Sequence, residues 1–153
     1  MLPELRVLYF EDLTIGLAEE LRRVIAASDV VGFAEVTGDR NPIHLSEHFA
    51  AKTPFGHRIA HGLYTASLIS AVLGTRLPGP GAVYISQTLN FRAPVKIGDE
   101  VAVRVEVAEL VPERRRARLA CTCRVADELV LDGEAWIKVP TRVEAPPSPI
   151  LGR

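Results

Sequence analysis

The stretch Gly62-Leu-Tyr-Thr-Ala-Ser-Leu-Ile-Ser-Ala-Val-Leu-Gly-Thr75 decides the fold. It carries no charge on any face, which marks a helix buried all round rather than one laid on a surface. Its small residues Ala66, Ser67, Ser70, Ala71 and Gly74 let a sheet approach closely. Pro78-Gly79-Pro80-Gly81 stops it. Beyond that stop the pattern alternates. Val83, Ile85, Leu89 and Phe91 share one parity, as do Val101, Val103, Val105 and Val107. The same holds for Leu119, Cys121, Cys123 and Val125, then for Leu129, Leu131, Ala135, Ile137 and Val139. Successive runs of period two predict half-buried antiparallel strands. Turn residues at 94–99, 112–114 and 126–128 join them.

Upstream of the helix, a further strand is expected before residue 25. Ser28 reads as an N-cap, and Val30, Val31, Phe33, Ala34 and Val36 fit one short helix ending near Gly38. Residues 39–44 follow as a loop, because Pro42 disfavours helix at Asn41. Ser46 caps a second short helix over residues 47–52, and residues 53–60 return to loop. The sheet must bury its apolar face and the helix, over about residues 61–76, must bury itself. A curved antiparallel sheet wrapped around that helix satisfies both. The expectation is an α+β chain with one hot-dog domain over residues 1–140. Residues 141–153 are proline-rich and read as a disordered tail. One such sheet leaves edges and a helix flank uncovered, so a homodimer is expected.

Composition narrows the function. With 18 Lys+Arg against 19 Asp+Glu, the net charge of -1 gives no electrostatic footprint for nucleic acid or an anionic membrane. The uncharged run is too short for a membrane span, which needs about 18 apolar residues. The N-terminus lacks a signal-peptide layout, and the 2 cysteines, Cys121 and Cys123, form no disulfide framework. A soluble cytoplasmic domain is expected. Two apart on a strand, these cysteines read as small core hydrophobes.

All four histidines, His44, His48, His57 and His61, fall between residues 44 and 61. His44-Leu-Ser-Glu47-His48 matches the zinc-protease pattern H-x-x-E-H. That pattern needs both histidines on one helix, and Pro42 with the cap Ser46 leaves His44 outside the helix of His48. No metal is expected. A different grouping holds more chemistry. Asp39 and His44, on one Pro-fixed loop, can converge on a water, the carboxylate accepting its hydrogen and the imidazole trading a proton. Asn41 can order that loop through its backbone. His61-Gly62 sits at the mouth of the apolar helix, where the first N–H groups are unpaired and the dipole is positive. Glycine there lets an acceptor oxygen come close, which makes a ready oxyanion hole.

Gly38-Asp-Arg-Asn-Pro-Ile-His44 resembles the G-D-x-N-P-x-H signature of the MaoC-like (R)-specific enoyl-CoA hydratases. The resemblance continues through Ile59-Ala-His-Gly-Leu63 and through Gln87-Thr-Leu-Asn-Phe-Arg-Ala-Pro-Val-Lys-Ile-Gly-Asp99. Phe10-Glu-Asp-Leu with Gly16 is similar to the family's N-terminal lead. The match runs in order over residues 9–140. It implies Asp39 and His44 as the catalytic pair, Gly62 as the oxyanion donor and Asn41 as a loop support. It also implies a homodimer.

The expected reaction is addition of water to a trans-2-enoyl-CoA, giving the (3R)-3-hydroxyacyl-CoA, or the reverse dehydration, with no cofactor beyond the coenzyme A of the substrate. Residues 62, 66, 69/70 and 73 lie along one helix face. The acyl tail is therefore expected to pass Ala66 toward Ser70 and Leu73. Three alternatives stand beside this reading: an acyl thioesterase of the same fold, an acyl-carrier-protein dehydratase, and a non-catalytic acyl-thioester-binding subunit. The helix holds no carboxylate, which counts against the thioesterase.

Overall fold

Residues 2–143 are described by a computed structural model of the chain. The elements run β1 (Ala18–Val24), α1 (Ala27–Thr37), α2 (Pro42–Leu45), α3 (Glu47–Ala50), α4 (Gly62–Thr75), β2 (Val83–Gln87) and β3 (Asn90–Phe91). The long strands β4 (Glu100–Val111), β5 (Arg116–Val125) and β6 (Glu128–Lys138) complete them. One 6-stranded antiparallel sheet has the order β1-β4-β5-β6-β2, with β3 also on β6. It curves around α4 in the hot-dog arrangement.

The alternating parities of β4, β5 and β6 build the concave face. Val105 lies opposite Cys121, and Leu119 opposite both Val107 and Ala135, so their side chains form continuous rows across the strands. Val101, Val103, Val105, Leu119 and Cys123 are fully buried, and Ile69, Val72 and Leu73 of α4 join the same core. Each such aliphatic side chain contributes roughly 1.5–3 kcal/mol through burial. Cys121 and Cys123 are free and buried, and burial pushes their thiols up to about 11 and about 12. They pack as small hydrophobes.

Five details depart from the pattern read in the sequence. First, α4 is buried on one side only: Thr65, Leu68, Ile69, Val72 and Leu73 face the sheet, while Leu63, Ser67, Ser70 and Gly74 are exposed in the single chain. Second, residues 83–91 are not one strand. The backbone of Thr88 passes directly over Gly133, where a Cβ would lie 1.8 Å from the Thr88 carbonyl oxygen. This crossing separates β2 from β3. A bulge between Tyr84 and Ser86 then turns Tyr84, not Val83, to the side of buried Ile137. Third, Pro42 occupies the first turn of a helix, a position it tolerates, so residues 42–45 form α2 instead of continuing the loop. Fourth, α1 is secured by Asp29 and not by Ser28: the Asp29 carboxylate accepts the Ala26 N–H at 2.9 Å. The second short helix also ends earlier than expected, at Ala50.

Of the expected tail, residues 144–153 lie outside the described residues. Its first part is held in place, since the Arg142 guanidinium pairs with Asp12 at 2.6 Å and covers the Tyr9 ring.

Candidate active site

Four short pieces of backbone bring the site together. Gly38 ends α1 in the left-handed conformation and donates its N–H to the Ala34 carbonyl, which turns the chain so that Asp39 leaves the helix end. The Asn41 N–H donates to the Asp39 carboxylate at 3.3 Å. The Asn41 side-chain oxygen accepts the Ile43 N–H at 3.2 Å and so caps α2. That turn carries His44. Residues 58–60 then run alongside it: the Ile59 N–H donates to the Ile43 carbonyl, and the Ala60 N–H to the Val95 carbonyl. The Arg58 Nε–H donates to the His44 carbonyl at 2.7 Å. The next two residues are His61 and Gly62, the entrance of α4.

His44 is 6% exposed, and its Nδ1 lies 2.8 Å from the Ile59 carbonyl oxygen. A carbonyl only accepts, so Nδ1 carries the hydrogen and Nε2 of the neutral ring is left as a bare acceptor. Burial holds the His44 pKa below its ordinary 6.5; the Ile59 bond opposes this, neighbouring His61 adds to it and Asp39 opposes it. The ring is thus kept neutral. His61, 2% exposed, stacks on His44 with centroids 3.8 Å apart, and its Nε2–H donates to the Asp39 backbone carbonyl at 3.0 Å. Asp39, His44 and His61 each bring a polar side-chain atom within 4.8 Å of the others. A single water spans such a gap with two ordinary hydrogen bonds.

Beside this cluster opens a cavity of about 540 Å³, lined by Asp39, His44 and Gly62 and, further in, by Thr65, Val130 and Leu131. Gly62 is the first residue of α4, so its N–H has no acceptor within the helix. The Phe91 ring lies where a Gly62 side chain would stand: a Cβ there would be 2.7 Å from the ring. A carboxylate, a neutral imidazole with a bare nitrogen and a free helix N–H thus border one apolar cavity.

A family model described as a MaoC like domain matches residues 15–127. The chain belongs to the MaoC-like domain family. Among its relatives, a protein of Methylorubrum extorquens named 3-hydroxybutyryl-CoA dehydratase is 82% identical over 147 residues, covering 96% of this chain and 94% of the relative. A protein of Rhodospirillum rubrum named (R)-specific enoyl-CoA hydratase is 50% identical, covering 88% and 93%. Among solved structures, R-hydratase PhaJ1 from Pseudomonas aeruginosa, unliganded, superposes with a TM-score of 0.84 at 44% identity, covering 92% of this chain and 94% of the other.

In this MaoC-like chain, Asp39, His44 and Gly62 come together at the cavity and Asn41 braces the turn between the first two. Ala66, Ser70 and Leu73 are not brought to it. Ser70 points to the exposed side of α4, Leu73 is in the core, and the helix residue that lines the cavity beyond Leu63 is Thr65. In the sequence, Gly62 reads as the marker of a helix face. An N-terminal N–H points along the helix axis, so it marks an end and not a side. The face that matters starts at His61 and continues one turn on at Thr65. Thr65 carries no motif of its own, and the motifs that contain His61 and Phe91 do not give either a place in the site; the i, i+4 spacing of His61 and Thr65 is the signal the sequence offers. The H-x-x-E-H pattern falls on two helices, since α2 ends before Ser46 and α3 begins at Glu47. Glu47 is engaged with the Arg58 N–H. In the Asp39–His44–His61 cluster, His44 Nδ1 and His61 Nε2 are each engaged by a backbone carbonyl.

Proposed function

We infer that the protein hydrates trans-2-enoyl-CoA to (3R)-3-hydroxyacyl-CoA and catalyses the reverse dehydration. The observation that carries this reading is the Asp39–His44 pair: a carboxylate and an imidazole locked as acceptor by Ile59, with polar side-chain atoms within 4.8 Å of each other at a cavity that Gly62 of the α4 N-terminus also lines. The relatives named as a 3-hydroxybutyryl-CoA dehydratase and an (R)-specific enoyl-CoA hydratase support it.

In the proposed reaction the thioester oxygen accepts the Gly62 N–H. A water held by the Asp39 carboxylate and His44 Nε2 attacks C3. Its oxygen bonds to C3, one of its protons passes to the pair, and electron density collects on the thioester oxygen as an enolate. A proton returned from the pair to C2 on the same face completes a syn addition, so H and OH of one water are accounted for. General acid–base assistance contributes about 10²–10⁴-fold, and one oxyanion donor about 3 kcal/mol. No electron changes hands, so the reaction calls for no redox cofactor. The 82% identical relative is named for a four-carbon acyl group, which favours a short acyl-CoA over an acyl-carrier-protein substrate.

A cytoplasmic homodimer belongs to the same reading. Two free, buried thiols suit a reducing compartment. Among the described residues, no helix is long and apolar enough to cross a membrane. Strand β2 ends the sheet with Val83, Tyr84 and Ile85 all exposed, an edge that pairing with a second copy would cover. Incubation with crotonyl-CoA tests the activity. Loss of the conjugated absorbance without free thiol is expected; thiol release means a thioesterase, and neither change means a binding subunit.

A further inference from the structure

His61 takes no part in the hydration steps above, yet it touches both members of the pair. Its Nε2–H holds the Asp39 carbonyl at 3.0 Å, and its ring covers the His44 ring at 3.8 Å. Phe33 of α1 packs against it at 4.7 Å, and the residue is 2% exposed. Its side chain makes no capping bond to its own helix. Its Nε2 is thus committed to the segment that carries Asp39 and the flat of its ring to His44, while its Nδ1 is buried and has no hydrogen-bond partner among the described residues.

We propose that His61 is a positioning residue: it ties the Asp39 backbone to the start of α4 and braces the His44 imidazole, fixing the separation that one water bridges. The proposal rests on the hydratase reading. Asp39 itself is exposed, and among the described residues its side-chain acceptor is engaged only by the Asn41 N–H two residues on. Its N–H reaches back to the Thr37 hydroxyl at 3.2 Å. The His61 bond is therefore the one that fixes it to a distant element. A shift of about 1 Å in a catalytic group can cost about 10²-fold in rate.

The ring stack has a second consequence. The charged or titratable groups around His44 are Asp39, His61 and Arg58, the last through the His44 carbonyl. Removing the His61 ring admits water to one face of His44 and removes an unfavourable neighbour for its charged form. Both changes raise the pH at which His44 protonates.

Three variants separate the two duties. His61→Ala drops the donor and the ring, His61→Gln keeps an N–H near the Nε2 position, and His61→Phe keeps only the ring. With crotonyl-CoA, kcat of the alanine variant should fall about 10²-fold while KM changes less than about threefold. The glutamine variant should recover most of that kcat, yet keep an acid limb of kcat/KM displaced to higher pH. The phenylalanine variant keeps the cover but not the imidazole, so it should show low kcat with an acid limb displaced less than that of the glutamine variant. If the alanine variant does not fold, the glutamine and phenylalanine variants decide alone. A folded alanine variant within about threefold of wild type, or a glutamine variant with kcat no better than phenylalanine, overturns the positioning role. A wild-type protein that leaves crotonyl-CoA unchanged overturns the hydratase reading itself, which the variants do not.

Discussion

Gly62 has two reasons to lack a side chain. Its N–H is the free donor at the helix start, and the Phe91 ring occupies the space a Cβ would need. The two can be separated. His61 has φ -59 and ψ 134, a conformation allowed before proline, and Gly62 stands at the helix position that tolerates it. Gly62→Ala keeps the N–H but collides with Phe91, whereas Gly62→Pro loses the N–H as well. In a Phe91→Ala background, relieved of the collision, the alanine variant should regain kcat and the proline variant should stay about 10²-fold lower. Equal recovery of both would leave crowding as the whole explanation. His44 gives a second prediction at this scale. Its pKa is held below 6.5 chiefly by burial, and the chemistry needs the neutral ring, so kcat/KM should persist below pH 6.5 before falling on the acid side. The sign for stability follows from the same shift: between the folded value and 6.5 the unfolded chain binds more protons than the native one. Stability should therefore be complete above pH 6.5 and decline as pH drops below it, a slope that His44→Gln should reduce in urea titrations at several pH values. In the sequence, the convergence of Asp39, His44 and Gly62 on one cavity was legible because it follows from a short loop and the helix mouth beside it. The contacts of His61 to the Asp39 carbonyl and the His44 ring were not, since only the fold brings these residues near.

At the scale of elements, the apolar run revealed α4 to within a residue at each end, residues 61–76 being expected and Gly62–Thr75 found, but not how it is buried. Absence of charge says that a helix can be covered everywhere; it does not say that one chain does so. The buried side, Thr65, Leu68, Ile69, Val72 and Leu73, repeats every three or four residues, and small Ser67, Ser70 and Gly74 line the other side. Ile69→Ala should cost roughly 2–5 kcal/mol in denaturant unfolding, since it opens a fully buried site. Ser70→Ala should stay within about 0.5 kcal/mol. Comparable losses would mean that both faces are packed alike. Strands β4, β5 and β6 were legible because period two survives wherever one face is buried. Residues 83–91 were misread for a steric reason: the crossing of Thr88 over Gly133, which breaks β2 from β3, is a contact between distant segments and leaves no periodic mark. Likewise Pro42 signalled a loop by its effect on the residue before it, while its own suitability for a first helical turn produced α2.

For the whole molecule, the order β1-β4-β5-β6-β2 leaves two open edges among the described residues, and the one formed by β2 is the apolar one. If a second copy covers it, light scattering should give twice the chain mass, and Ile85→Arg, a change at a side chain 41% exposed in the single chain, should give the monomer. A wild-type monomer would count against the dimer. The hot-dog arrangement was legible because only one closure buries a charge-free helix and an alternating sheet together; the floor of the cavity was not, because it depends on which side of α4 turns inward. Everything in the functional reading converges on Asp39 and His44 acting as one unit on one water. A double-mutant cycle measures that directly. Asp39→Asn and His44→Gln, each confirmed folded, should each lower kcat for crotonyl-CoA hydration by about 10²-fold or more, and the double variant should be little worse than the poorer single one. Losses that multiply, or near-normal turnover in either folded single variant, would contradict the account.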